Sequence, residues 1–294
     1  MLSDDLPETE AVDERSTDLD ALSSDALVTL LIEAQRGAVE AVFARRHEIA
    51  GVVDEIVRRL EDGGRLHYVG AGTSGRLAML DAAEMPPTFG VEPGLVRAHL
   101  AGGASALVRA VEGAEDDARA GEEAVRDVDA GDVVIGLSAA GGASFVIAAV
   151  TAAGARGAFT VAIVNTDRSA LAAAAQRAIV LHTGAEPVAG STRMRAGTAQ
   201  KVVLNAISTA AMVLLGRVYG NLMVDVVASN RKLSERARRL VCRIAGVDEA
   251  RAATLLAACD GSVKVAVVMA RHGVDAATAR RTLERARGRL REAL

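Results

Sequence analysis

The chain is short of aromatic residues: two Tyr, four Phe and no Trp, 2% of its 294 positions. With so few flat side chains, bases or sugars held by stacking on aromatic platforms are not expected. A basic excess is missing too, since 34 Lys and Arg face 38 Asp and Glu for a net charge of -4, and the cations are spread along the chain. That argues against a nucleic-acid partner held by a positive face. There are two cysteines, Cys242 and Cys259, with no C-x-x-C spacing and no neighbouring His pair. Neither a disulfide framework nor a zinc site is expected, and both read as small buried hydrophobes. The histidines (His47, His67, His99, His182 and His272) show no metal-ligand spacing, and the chain has no G-K-[ST], G-x-S-x-G or H-E-x-x-H motif.

No basic stretch followed by an apolar one opens the acidic segment Met1 to Asp20, so no secretory signal is read there. Val133 to Ala155 runs 23 residues without a charge, long enough to span a bilayer. It is built of Ala, Gly and Ser around Gly141-Gly142, which fits a buried strand, a turn and a helix better. The expectation is a cytoplasmic protein without a membrane partner.

What is present is half hydrophobic, enough for a large core. Leu22 to Leu60 carries apolar residues at helical spacing, closed by Gly63-Gly64. Short apolar runs of strand length follow at Leu66 to Val69, Leu95 to Leu100, Val133 to Leu137, Thr160 to Val164 and Ile179 to Leu181. Helix-like stretches lie between them at Leu77 to Ala83, Ala104 to Val111, Phe145 to Ala153 and Ser169 to Ala175. Alternating strands and helices predict an α/β three-layer sandwich with a five-stranded parallel sheet, flavodoxin-like in kind. From Ala196 the strand signal ends: one long helix to Leu215, with Ser191 or Thr192 as its cap, then after Asn230 short helices broken at Gly246, Gly261 and Gly273. The expected division is residues 1–62, acidic segment and helices; 63–220, the α/β domain; and 221–294, a small helical domain.

Two strand–loop–helix segments echo each other. The first runs into Gly70-Ala71-Gly72-Thr73-Ser74-Gly75, the second into Ser138-Ala139-Ala140-Gly141-Gly142-Ala143-Ser144. Glycines let backbone approach a ligand, and a following helix aims free N–H groups at it, which suits a phosphate. Gly70, Gly72 and Gly75 match the dinucleotide spacing, but no acidic residue closes the second strand to hold a ribose. Thr73 and Ser74 add hydroxyls that suit a small sugar phosphate. The candidate phosphate and sugar contacts are Gly72, Thr73, Ser74, Gly75, Ser138, Gly141 and Ser144. Glu84, in D-A-A-E-M-P-P-T, and Glu115, in V-E-G-A-E-D-D, are carboxylates that could act as acid and base around a sugar. Pro86-Pro87 reads as the stop of the helix carrying Glu84.

G-A-G-T-S-G-R-L, L-D-A-A-E-M-P-P-T-F-G-V, V-E-G-A-E-D, G-S-T-R-M-R-A-G-T-A-Q-K and G-N-L-M-V-D-V stand in this order, and together they resemble the N-acetylmuramic acid 6-phosphate etherases. The resemblance implies a sugar isomerase (SIS) fold with a small helical domain, a homodimer with its site at or near the interface, and no cofactor or metal. It implies cleavage of the lactyl ether at C3 by elimination and hydration, with Glu84 as proton donor and Glu115 as base or second acid/base. Ten helical residues from Ser74 to Glu84 span ~15 Å, farther than a hexose phosphate reaches, so either the helix breaks early or Glu84 serves the neighbouring subunit's site, and the second is expected. Members of the family usually read S-A-S-G-R-T-P where this chain reads S-A-A-G-G-A-S. Hydrogen-bond donors are thus lost at Ala140, Gly142 and Ala143. An aldose–ketose isomerase and a non-catalytic sugar-phosphate sensor are the alternatives.

Overall fold

The structure, a computed structural model, describes residues 7–225 and 231–294. The first six residues of the acidic segment, Val226 of the G-N-L-M-V-D-V motif and Asn230 lie outside the described residues. Two compact units form: one from residues up to Ala83 plus Gly94–Ser208, the other from Glu84–Pro93 and Thr209–Leu294.

The first unit opens with three single 3-10 turns (Glu8–Glu10, Glu14–Ser16, Leu19–Ala21) and helices α1 (Ser24–Ala34), α2 (Arg36–Ala44) and α3 (Arg46–Glu61). The alternation follows: β1 (Leu66–Gly70), α4 (Gly72–Phe89), β2 (Val96–Leu100), α5 (Ala118–Ala124), β3 (Val133–Leu137), α6 (Ser144–Ala155), β4 (Phe159–Val164), α7 (Ala170–Ala174), β5 (Arg177–Val180) and α8 (Arg195–Leu214). The strands make one parallel sheet in the order β2-β1-β3-β4-β5, with Tyr68 opposite both Ala98 and Ile135. The predicted five-stranded α/β sandwich is present.

Strand alternation sends neighbouring residues to opposite faces. Val69, Val134 and Ala162 enter a buried cluster with Val125, Phe145, Val146, Val150 and Leu171 of α5 to α7 and their flanks. Tyr68 points the other way, and its hydroxyl donates to Asp81 of α4 at 3.1 Å. Asp81 also accepts from Asn205 (2.7 Å) and Ser208 (3.0 Å) of α8. A buried carboxylate costs several kcal/mol unless its lone pairs are used; these three donors tie β1, α4 and α8 together.

Three local expectations fail. Pro86 and Pro87 do not stop their helix: α4 continues to Phe89, and the N–H of Gly90 donates to the Pro86 carbonyl at 3.0 Å. Proline removes the N–H of its own residue, but its carbonyl still accepts, so the final turn closes. Ala104 to Val111 forms only the 3-10 turn Gly103–Leu107; Leu107, Val108 and Val111 are exposed, so no buried face supports a longer helix. The third concerns α8, which is not capped by Ser191 or Thr192. The buried Glu186 carboxylate accepts the backbone N–H groups of Arg195 (2.8 Å) and Ala196 (2.9 Å) instead.

In the second unit a short hairpin, β6 (Val218–Tyr219) and β7 (Leu222–Met223), precedes α9 (Arg231–Ala245), α10 (Glu249–Ala257), α11 (Val263–His272), α12 (Ala276–Arg285) and α13 (Leu290–Ala293). The breaks fall at Gly246, Gly261 and Gly273 as the sequence predicts, and a further one at Arg287-Gly288 splits the last helix. Val241, Ala252, Val267, Val268 and Leu290 are among its buried core residues. Cys259 is buried and Cys242 half-buried, both as free thiols. Lys264 is also buried, donating to Asp225 at 2.5 Å, with Arg217 3.5 Å from the same carboxylate oxygen. Among the described residues no helix is long and apolar enough to cross a membrane.

Two stability predictions follow from these buried charges. Lys264→Ala leaves the Asp225 carboxylate with Arg217 alone, 3.5 Å away, and is expected to cost ~3 kcal/mol, whereas the Lys264→Met, Asp225→Leu double variant loses much less; urea unfolding measures both. In the sheet, His67 is fully buried, its Nδ1 3.0 Å from His99 Nε2 and its Nε2 3.6 Å from Asp132. Burial, then the neighbouring His99, pulls the His67 pKa down to about 4. The unfolded chain binds that proton near the ordinary value of 6.5, so this contribution is complete above that pH and is lost as pH falls toward 4. The melting temperature is expected to drop across that window, and His67→Phe to flatten the drop; an unchanged slope refutes it.

Candidate active site

The sheet order places β1 between β2 and β3. The chain leaving β1 goes through α4 to β2, and the chain leaving β3 goes through α6 to β4, so the two loops part over the carboxyl ends of the strands. Such a switch point opens a crevice in parallel α/β sheets. A cleft of about 360 Å³ lies there, bounded by Ala71–Ser74 after β1, Ser138–Ala140 with Gly142 and Ala143 after β3, Glu115 and Asp116, Thr192 and Glu10.

The first loop turns sharply because of a glycine pair. A Cβ on Gly70 would come within 2.7 Å of the Gly75 nitrogen, and one on Gly75 within 2.5 Å of the Gly70 carbonyl oxygen. Strand and helix thus touch backbone to backbone, and the start of α4 borders the cleft. In the second loop the Ser138 hydroxyl accepts the Gly141 N–H at 3.1 Å, leaving its own proton free to donate. No side chain caps α6; its N-terminal end also faces the cleft through Ala143. Two helix starts therefore bring N–H groups and positive dipole ends to one space.

Glu115 stands on the 3-10 turn Ala114–Asp116 and is exposed. The structure brings it together with Gly72, Thr73, Ser74 and Ser138. Gly75, Gly141 and Ser144 belong to the same loops but do not line the cleft. Glu84 does not line it either: in the unbroken α4 it lies 12 residues after Gly72, about 18 Å along the axis at 1.5 Å per residue. The departures at Ala140, Gly142 and Ala143 all fall on the cleft wall, and no Lys or Arg side chain lines it among the described residues.

Sequence reasoning did not single out Glu10, Glu186, Arg195 or Asp13. Arg195 is buried, donating to the carbonyls of Ala34 (3.0 Å) and Ala185 and to Asp13 (3.1 Å). Its signal lay inside the G-S-T-R-M-R-A-G-T-A-Q-K run, Gly190 to Lys201. Others in that run are structural: Thr198 donates to Gln35 at 2.7 Å and the buried Gln200 to Asn165 at 3.2 Å. Among the described residues one group could hold a metal, Glu8, Asp167 and His182. All three are exposed, and His182 lies 3.5 Å from each acid; they read as a surface ion cluster.

A family model described as the SIS domain matches residues 107–210, and one described as the glucokinase regulatory protein N-terminal SIS domain matches residues 48–153. In fold the chain is similar to a phosphoheptose isomerase from Francisella tularensis (TM-score 0.53, 18% identity, covering 65% of this chain and 100% of that one). Over nearly full length it is similar to N-acetylmuramic acid 6-phosphate etherases. The Deinococcus radiodurans enzyme is 48% identical over 97% of this chain and 94% of its own. For Streptomyces avermitilis the figures are 46%, 97% and 93%, and for Geobacillus thermodenitrificans 45%, 97% and 98%. With 45–48% identity over 97% of its length to these enzymes, the chain belongs to the N-acetylmuramic acid 6-phosphate etherase family.

Proposed function

We propose that the protein cleaves the D-lactyl ether of N-acetylmuramic acid 6-phosphate, giving D-lactate and N-acetylglucosamine 6-phosphate. The observation that carries the chemistry is the placing of Glu115 in one cleft with Thr73, Ser74 and Ser138. Without a lining cation, phosphate is held by the N–H groups at the starts of α4 and α6 and by these hydroxyls. The acids Glu10, Glu115 and Asp116 repel the phosphate and face the rest of the sugar.

Opening of the ring to the aldehyde acidifies the C2 proton. Glu115 removes it, the electron pair forms the C2–C3 double bond, and the C3–O bond breaks as an acid protonates the departing lactate oxygen. Water then adds to C3 and a proton returns to C2, so the new hydroxyl oxygen comes from solvent. Neither step changes an oxidation balance that would need an external electron carrier. We assign the acid to Glu84 of a second subunit, because in the unbroken α4 a subunit's own Glu84 lies 12 residues after Gly72, about 18 Å along the helix. A homodimer with shared sites satisfies that geometry.

Incubation with N-acetylmuramic acid 6-phosphate in ¹⁸O-water is expected to yield unlabelled lactate and a sugar carrying ¹⁸O at C3, read by mass spectrometry. Binding without lactate release would instead favour a sensor, for which the cation-free loop Ser138–Ser144 would be the cause. Glu115→Gln is expected to lower kcat at least 100-fold with the fold intact by circular dichroism. Co-expressed Glu84→Gln and Glu115→Gln subunits are expected to regain about one quarter of wild-type activity, since half the dimers are mixed and each has one complete site. No recovery would place both glutamates in one subunit's site.

A further inference from the structure

The cleft holds a carboxylate that neither motif accounts for. Glu10 lines it and comes from the N-terminal segment, far in sequence from the glycine loops. Its carboxylate makes no hydrogen bond or ion pair with the described residues, unlike Asp13 three positions on. Glu10 is exposed and its carboxylate is free, but the backbone that carries it is held in place.

The segment carrying it is fastened by polar clamps. Thr9 is fully buried, and its carbonyl accepts the Gly190 N–H at 3.3 Å. Asp13 takes Arg15 at 2.8 Å and the buried Arg195 at 3.1 Å, and the Asp13 and Arg195 side chains are 9% and 8% exposed. The Arg15 bond foremost holds the Asp13 pKa down to about 2, so the clamp stays charged through the neutral range. Arg195 opens α8, while Thr192, three residues earlier, lines the cleft. One stretch of chain therefore fixes both the N-terminal segment and the cleft wall. Between the clamps, Gly190, whose φ of +74° favours glycine, lies beside the free acid, its Cβ position 2.8 Å from a Glu10 carboxylate oxygen.

We propose that Glu10 is a substrate-positioning residue, accepting hydrogen bonds from the hydroxyl or amide N–H groups of the amino sugar; this rests on the sugar-phosphate reading above. Charge decides which part of the ligand it meets. Phosphate and the lactyl carboxylate are repelled by an anion, while a hydroxyl or an amide N–H finds in it a strong acceptor. Glu10 and the N–H-rich loops thus grip opposite kinds of group, and the sugar is oriented by both.

The test uses full-length Glu10→Ala and Glu10→Gln. For Glu10→Ala, KM for N-acetylmuramic acid 6-phosphate is expected to rise about tenfold or more. The inhibition constant of N-acetylglucosamine 6-phosphate should rise in parallel. The inhibition constant of inorganic phosphate should not rise, and the melting temperature should stay at the wild-type value. Glu10→Gln, which keeps an acceptor oxygen, should fall between. An unchanged KM overturns the proposal, and so does a matching rise in the phosphate constant, which would mean that the segment merely shapes the loops. If the wild-type protein releases no lactate, the lyase reading fails on its own. The proposal is then read by calorimetry with N-acetylglucosamine 6-phosphate: a loss of affinity in Glu10→Ala supports it, and equal affinity for wild type and variant refutes it.

Discussion

The reversal of winding at β1 is the constraint on which the site depends. Because β1 has β2 on one side and β3 on the other, the segments leaving β1 and β3 separate, and nothing in the sheet fills the space above them. The same reversal delivers the beginnings of α4 and α6 to that space, each with backbone N–H groups that its own helix cannot satisfy. The loops serve this geometry with small residues. Gly70 and Gly75 let strand and helix meet backbone to backbone, and Ala139 to Ala143 keep side-chain bulk away from the opening.

The electrostatics of the cleft follow from what is left out of it. With Glu10, Glu115 and Asp116 on the lining and no lysine or arginine, the negative charge of a phosphate has to be met by helix ends and hydroxyls. Those are directional donors, so they fix orientation as well as charge. The buried Arg195 is committed to structure instead, satisfying Asp13 and two carbonyls, while Glu186 takes the first N–H groups of α8. These buried polar bonds hold the rim of a site whose interior remains free for ligand.

Similarity of fold to a phosphoheptose isomerase shows how widely this sheet is used, and a fold alone does not choose a reaction. What separates the two is the identity that extends through the helical tail, 45–48% over 97% of the chain. The second unit has its own core and its own buried ion pair at Lys264 and Asp225, so its stability rests on interactions separate from those of the sheet.

The sequence by itself determined the strand–helix alternation, the two glycine-rich loops and the breaks in the tail, because each depends on local pattern: apolar runs, helical spacing and residues that end helices. The Thr73-Ser74 pair was legible for the same reason, as hydroxyls in a loop shaped for phosphate, whereas Glu115 stood out only as a carboxylate whose role the family resemblance implied. Tertiary structure decided the rest. Which oxygen caps α8 depends on Glu186 arriving buried from upstream. That Glu10 belongs to the cleft depends on bonds from Thr9 to Gly190 and from Asp13 to Arg195, which join residues about 180 positions apart. No local pattern encodes a meeting over that distance; it exists only once the chain has folded.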